Sequence, residues 1–146
     1  NLIKLTRNKI LYNTDKGDTF YDRIIIFFFH LGFLLKEFKK SEDKENLQKF
    51  FDFCVRQIEL SIREIGYGDV SVNKKMKEYV NLFYSIIDRI DSWELLNTEL
   101  KTEILMNLLD IRQKQDFYVN YFDNYCIFLS KSSLNNFIKG LINLKF

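Results

Sequence analysis

At 146 residues, 47% hydrophobic and 29% charged, the chain has the length and balance of one globular domain, 1–146, which excludes a fibrous repeat or a mainly disordered chain. A formal net charge of +2 is too small to point to nucleic acid by itself, so any anion-binding surface must come from local clustering. Fifteen Phe and eight Tyr against two Met and one Trp make the expected core, or a contact surface, largely one of rings.

The chain begins at Asn1 rather than Met, as a piece of a longer chain or a processed form would, and no charged segment followed by an apolar one of the secretory kind stands at this end. Leu2, Leu5 and Ile10 predict a short N-terminal helical piece. From Phe20, the residues Ile24, Phe27, Phe28, Leu31, Leu34, Leu35 and Phe38 follow three- and four-residue steps, the spacing that lines one helical face. Ile24 to Leu35 is apolar on nearly every side apart from His30 and Gly32, which predicts a central helix covered on more than one face. Its 12 residues fall short of the roughly 20 needed to cross a bilayer.

Beyond the charged linker Lys39-Lys40-Ser41-Glu42-Asp43, a second stripe runs through Leu47, Phe50, Phe51, Cys54, Ile58, Ile62 and Ile65, with Glu42 and Asp43 suited to its N-terminal dipole. Proline is absent and glycine occurs five times, so breaks in the helical pattern are informative. Gly66 and Gly68 bracket Tyr67 and end that helix, because glycine reaches left-handed backbone conformations without a Cβ clash. Ser71, or else Asp69, is the expected N-cap of the next helix, whose stripe is Val72, Met76, Tyr79, Val80, Phe83, Ile86, Ile87, Ile90 and Trp93. Three shorter amphipathic helices follow, around Leu100 to Ile111, Phe117 to Leu129, and Leu134 to Ile142. No alternation of strand type competes, so the expected fold class is all-α, a helical bundle of about six to seven helices.

Catalytic chemistry finds little support. The single histidine, His30, lies between Phe29 and Leu31 and reads as a core side chain satisfied by one hydrogen bond. Cys54 and Cys126 are far apart and form no CxxC pair, which fits a reducing compartment; with His30 they show no zinc-ligand spacing. Carboxylates fall on the polar helix faces, and Gly66-Tyr67-Gly68 lacks the preceding strand and third glycine of a phosphate loop. Lys74, Lys75 and Lys77 stand early in their helix, where cations oppose the helix dipole. With Arg63 they form a positive rim around Gly66-Tyr67-Gly68-Asp69, read either as a solvated face or as a contact for ribosomal RNA, an acidic partner or anionic lipid headgroups. Asp69 alternatively pairs with Arg63 or Lys74 and locks the turn, with Glu64 acting similarly.

The stretch from Leu60 to Lys77 resembles the ubiquinol-cytochrome c chaperones, the family of the mitochondrial cytochrome b assembly factor and its alphaproteobacterial relatives. Arg63, Glu64, Gly66, Gly68, Asp69, Val72, Lys74 and Lys77 fall on the fixed positions of its most specific motif. Asp18-Thr19-Phe20 with Arg23, and Phe29-His30-Leu31, are similar to two further segments. Phe83-Tyr84 matches a third in part, with Ser85 and Ile86 replacing its Gly-Arg pair. The resemblance spans Tyr12 to about Asp91.

It implies a non-enzymatic helical chaperone that binds newly made cytochrome b and holds it ready for haem insertion and assembly into the respiratory complex; from the residues, no cofactor, metal or DNA is expected. The mitochondrial relatives work with a small helical partner subunit and at the ribosomal tunnel exit. The implied setting is the bacterial cytoplasm at the inner membrane face, or the mitochondrial matrix and inner membrane. The expected partner-binding residues are Arg63, Tyr67, Asp69, Lys74, Lys75 and Lys77, on a structural turn made by Gly66 and Gly68. The competing expectation is a peripheral membrane or adaptor module.

Overall fold

The computed structural model describes residues 2–12, 19–40, 44–109 and 114–139. Among them the chain is all-helical: α1 (Leu2–Thr6), α2 (Phe20–Phe38), α3 (Lys44–Glu64), α4 (Asp69–Ile90), α5 (Thr98–Met106), α6 (Gln115–Ser130) and α7 (Leu134–Lys139), with 3-10 turns at Lys9–Leu11 and Trp93–Leu95. Glu42, Asp43, Ile111, Leu141 and Ile142, which entered the helix expectations, and Asp18 of the Asp-Thr pair lie outside the described residues.

α2 starts sharply because Thr19 Oγ1 accepts the Asp22 N–H at 3.1 Å while the Thr19 N–H donates to the Asp22 carboxylate at 3.3 Å, a reciprocal capping box. It then buries Ile24 to Ile26 and Phe28 to Leu34 without interruption, against α1, α4 and α6 on different sides. The apolar run is thus satisfied by protein on several faces, and among the described residues no helix is long and apolar enough to cross a membrane. α3 packs on α4, and α5 on α6.

Rings fill the space between layers: Phe28 against Phe83 at 5.2 Å, Phe29 against Phe122 at 5.4 Å, and Phe33 edge-on to Trp93 at 5.2 Å. Gly32 lets α2 and α4 approach, since a Cβ there would stand 2.9 Å from Ile90 Cδ1. The far end of α4 is tied down by the Lys36 ammonium, which donates to the Ile90 carbonyl at 3.0 Å and pairs with Glu94. Asp123 of α6 accepts both the Trp93 indole N–H, at 2.7 Å, and Lys101 of α5, at 2.9 Å.

Several expectations shift at element ends. α4 begins at Asp69 rather than after Ser71: Gly68 holds the N-cap position in an extended conformation with no side-chain cap, and Ser71 lies inside the first turn. Trp93 leaves the α4 stripe, since that helix ends at Ile90 and the indole reaches the core from a 3-10 turn. Ile10 is exposed although Leu2 and Leu5 are buried, because it projects from the 3-10 turn rather than from α1.

Candidate functional site

α3 and α4 form a hairpin whose tip is the glycine turn. α3 ends because Gly66 takes φ +104°, the left-handed region, while its N–H donates to the Arg63 carbonyl at 2.9 Å. Gly68 does not share this conformation: its φ of −71° is open to any residue, and a Cβ there would meet nothing within 4 Å. Of the two expected turn glycines, only Gly66 is required by backbone geometry.

Arg63 is engaged from both helices. Its Nε and Nη2 donate to Glu59 at 3.0 and 2.8 Å, and its Nη1 donates to Asp69. The hydrogen bonds to Asp69 first and Glu59 second push the guanidinium pKa further up. The pair spans the turn, so Asp69 locks the hairpin, one of the two roles foreseen for it. Glu64 forms no ion pair among the described residues.

Lys75 places its ammonium 5.0 Å from the centre of the Tyr67 ring, a cation–π contact that orders a side chain otherwise 41% exposed. Lys74 and Lys77 are exposed on α4, and neither forms an ion pair among the described residues. The six expected partner-binding residues therefore sort into an ion pair across the turn, Arg63 with Asp69, an exposed ring, Tyr67, in contact with the Lys75 ammonium, and two cations without ion pairs among the described residues.

What the residue pattern did not foretell is the apolar surface beside them. Ile65, expected in the buried stripe, is 52% exposed because α3 stops at Glu64 and the chain turns away. Val70 is 86% exposed and Leu60 also faces solvent. One signal was available for Val70: like Tyr67, it falls between the apolar stripes. Leu60 lines, with Phe51, Asp52, Val55, Arg56 and Glu59, a trough of about 420 Å³ along α3.

His30 lies elsewhere, fully buried between α2 and α6. The Ile26 carbonyl only accepts, so the 2.7 Å contact fixes a proton on Nδ1, and Nε2 accepts from the Tyr121 hydroxyl at 2.8 Å. Burial lowers its pKa to about 4, so the ring is neutral near pH 7, with two hydrogen bonds rather than the one expected. Burial also pushes the Cys54 and Cys126 thiols up to about 12, away from thiolate chemistry. Among the described residues no group of three His, Cys, Asp or Glu side chains could hold a metal ion.

Comparison with known proteins decides the family. The family model for the ubiquinol-cytochrome C chaperones matches residues 15–115, a span holding the whole hairpin, the turn motif and His30. The chain belongs to that family. The crystal structure of the Cbp3 homolog from Brucella abortus superposes with a TM-score of 0.81 at 20% identity, covering 99% of this chain and 84% of that one, which shows a shared fold. No curated protein matches the chain by sequence. Membership gives this chaperone a role in the assembly of respiratory complex III and implies a non-enzymatic activity. Ile86, standing where the family's Phe-Tyr-Gly-Arg element has Arg, is fully buried 3.9 Å from the Gly32 Cβ position, so in this chain the site serves the core.

Proposed function

We propose that the chain binds newly made cytochrome b at the tip of the α3–α4 hairpin and holds it for assembly into the ubiquinol-cytochrome c reductase complex. The observation that carries this reading is the exposure of Ile65, Tyr67 and Val70 at the turn, and of Leu60 one turn back on α3, beside the Arg63–Asp69 pair that spans the turn. Cytochrome b is a membrane subunit, and before insertion its apolar helices need cover from water. Leu60 and Ile65 are already about half covered, so completing the burial of the three aliphatic side chains contributes less than the roughly 1.5–3 kcal/mol each of full burial, against an association cost of about 4–15 kcal/mol. Such a contact is reversible, as a chaperone requires.

The place of action in this reading is the inner membrane face where cytochrome b is inserted, on the cytoplasmic side in a bacterium or the matrix side in a mitochondrion. A ribosome near the tunnel exit and a small helical subunit complete the set of proposed partners. Removing the protein from its cell should lower assembled ubiquinol-cytochrome c reductase while cytochrome b transcript persists. The wild-type chain should restore it, and the Ile65→Asp, Val70→Asp chain should not. Normal amounts of the complex without the protein would overturn the proposal.

A further inference from the structure

α4 packs inward through Val72, Met76, Tyr79, Phe83, Ile86 and Ile90, at alternating steps of four and three residues. The same steps begun two residues earlier give Val70, Lys74, Lys77, Asn81 and Tyr84 on the opposite face. All five are exposed, and at 1.5 Å per residue they form a straight stripe about 21 Å long. Two cations without ion pairs among the described residues thus lie between an aliphatic and an aromatic side chain. Asp88 follows one step further, with the opposite charge.

The surrounding charges decide which anion fits. Between Glu59 and Glu78 the four cations Arg63, Lys74, Lys75 and Lys77 meet the four carboxylates Glu59, Glu64, Asp69 and Glu78. A bilayer or RNA surface, with phosphates spread over many ångströms, also meets the carboxylates Glu59, Glu64, Asp69 and Glu78 interspersed with those cations. Discrete carboxylates aligned with Lys74 and Lys77 gain their pairing, because contact at that range is set by the nearest charge. The lysine stems add apolar cover beneath the ammonium groups.

We infer that this face of α4 docks an amphipathic helix of the protein client, whose carboxylates, three or four residues apart, meet Lys74 and Lys77 while its apolar side chains cover Val70 and Tyr84. Asp88 sets the direction, since it repels a carboxylate at the far end and so points the acidic end of the client helix towards the hairpin tip. The inference rests on the chaperone reading above and names the chemistry of the segment recognised.

The test uses the whole chain and a fluorescein-labelled synthetic helix bearing two Glu four residues apart on a leucine face, with Gln and Lys counterparts. Vesicles of phosphatidylcholine and phosphatidylserine run alongside. Anisotropy titration at low salt should show the Glu helix binding about two- to thirtyfold more tightly than the Gln helix, the span expected of two exposed pairs. Lys74→Glu with Lys77→Glu, unchanged in circular dichroism and Tm, should lose that preference and favour the Lys helix instead. Equal affinity for Glu and Gln helices, or vesicle binding that Lys74→Glu with Lys77→Glu abolishes, overturns the inference. Cytochrome b recovered with the wild-type chain alongside equal peptide affinities sinks this inference alone, whereas its absence sinks the reading beneath it.

Discussion

Gly66 and Gly68 sit two residues apart in the same motif, yet the backbone asks different things of them. A side chain at Gly66 would have to adopt φ near +104° in open space, so its cost is backbone strain alone. Gly66→Val should therefore lower stability by about 1–2 kcal/mol, whereas Gly68→Val should leave Tm nearly unchanged; equal losses at both would contradict this division. His30 is the only histidine, which makes its titration separable. Its pKa falls from 6.5 to about 4 on folding, so between those values the unfolded chain binds the proton that the native chain refuses. The stability tied to it is present above pH 6.5 and drains away as pH falls through 4, about 3 kcal/mol in all at 1.36 kcal/mol per unit. Urea titrations at pH 7 and pH 4.5 should show this loss in the wild type and little of it in His30→Gln. A parallel slope in both chains would remove His30 as its source. Its core position was readable from the apolar residues around it; its partner Tyr121 was not, because the two lie 91 residues apart.

At the scale of elements, the long helices were legible because nothing interrupts their three- and four-residue periodicity. Their ends were less so. Periodicity carried α3 on to Ile65 and α4 on to Trp93, but a side chain in step with a stripe belongs to the helix only while the backbone continues. Ser71 offered a better cap by type than Gly68, yet the Arg63–Asp69 pair across the turn draws Asp69 in as the first helical residue. The closeness of α2 and α4 at Gly32 joins residues 58 apart, Gly32 and Ile90, and leaves no local trace beyond a glycine inside an apolar run. Gly32→Val should overpack that contact and destabilise by about 1–3 kcal/mol, read as a fall in the urea midpoint with an unchanged m-value. A stability equal to wild type would mean that the helices separate freely there.

Across the whole molecule, the high count of Phe and Tyr resolves into two uses. Rings such as Phe28, Phe33, Phe83 and Phe122 join the layers of the core, while Tyr67 and Tyr84 remain at the surface of the hairpin. The family and the all-helical class were both legible, since a turn motif with fixed Arg, Gly, Asp and Lys positions is local in sequence. The apolar tip beside it was not, because exposure depends on which neighbours the other helices leave uncovered. The 20% identity to the Brucella abortus structure at a TM-score of 0.81 fits the same view, with helical pattern outlasting individual residues. The central claim is that the tip grips cytochrome b, and quantifying cytochrome b that co-isolates with the tagged protein from its own cells tests it most directly. Cytochrome b should be enriched with the wild-type chain and fall at least about tenfold with Ile65→Asp, Val70→Asp at unchanged Tm. No enrichment over an unrelated tagged helical protein, or the same enrichment with both chains, would contradict it.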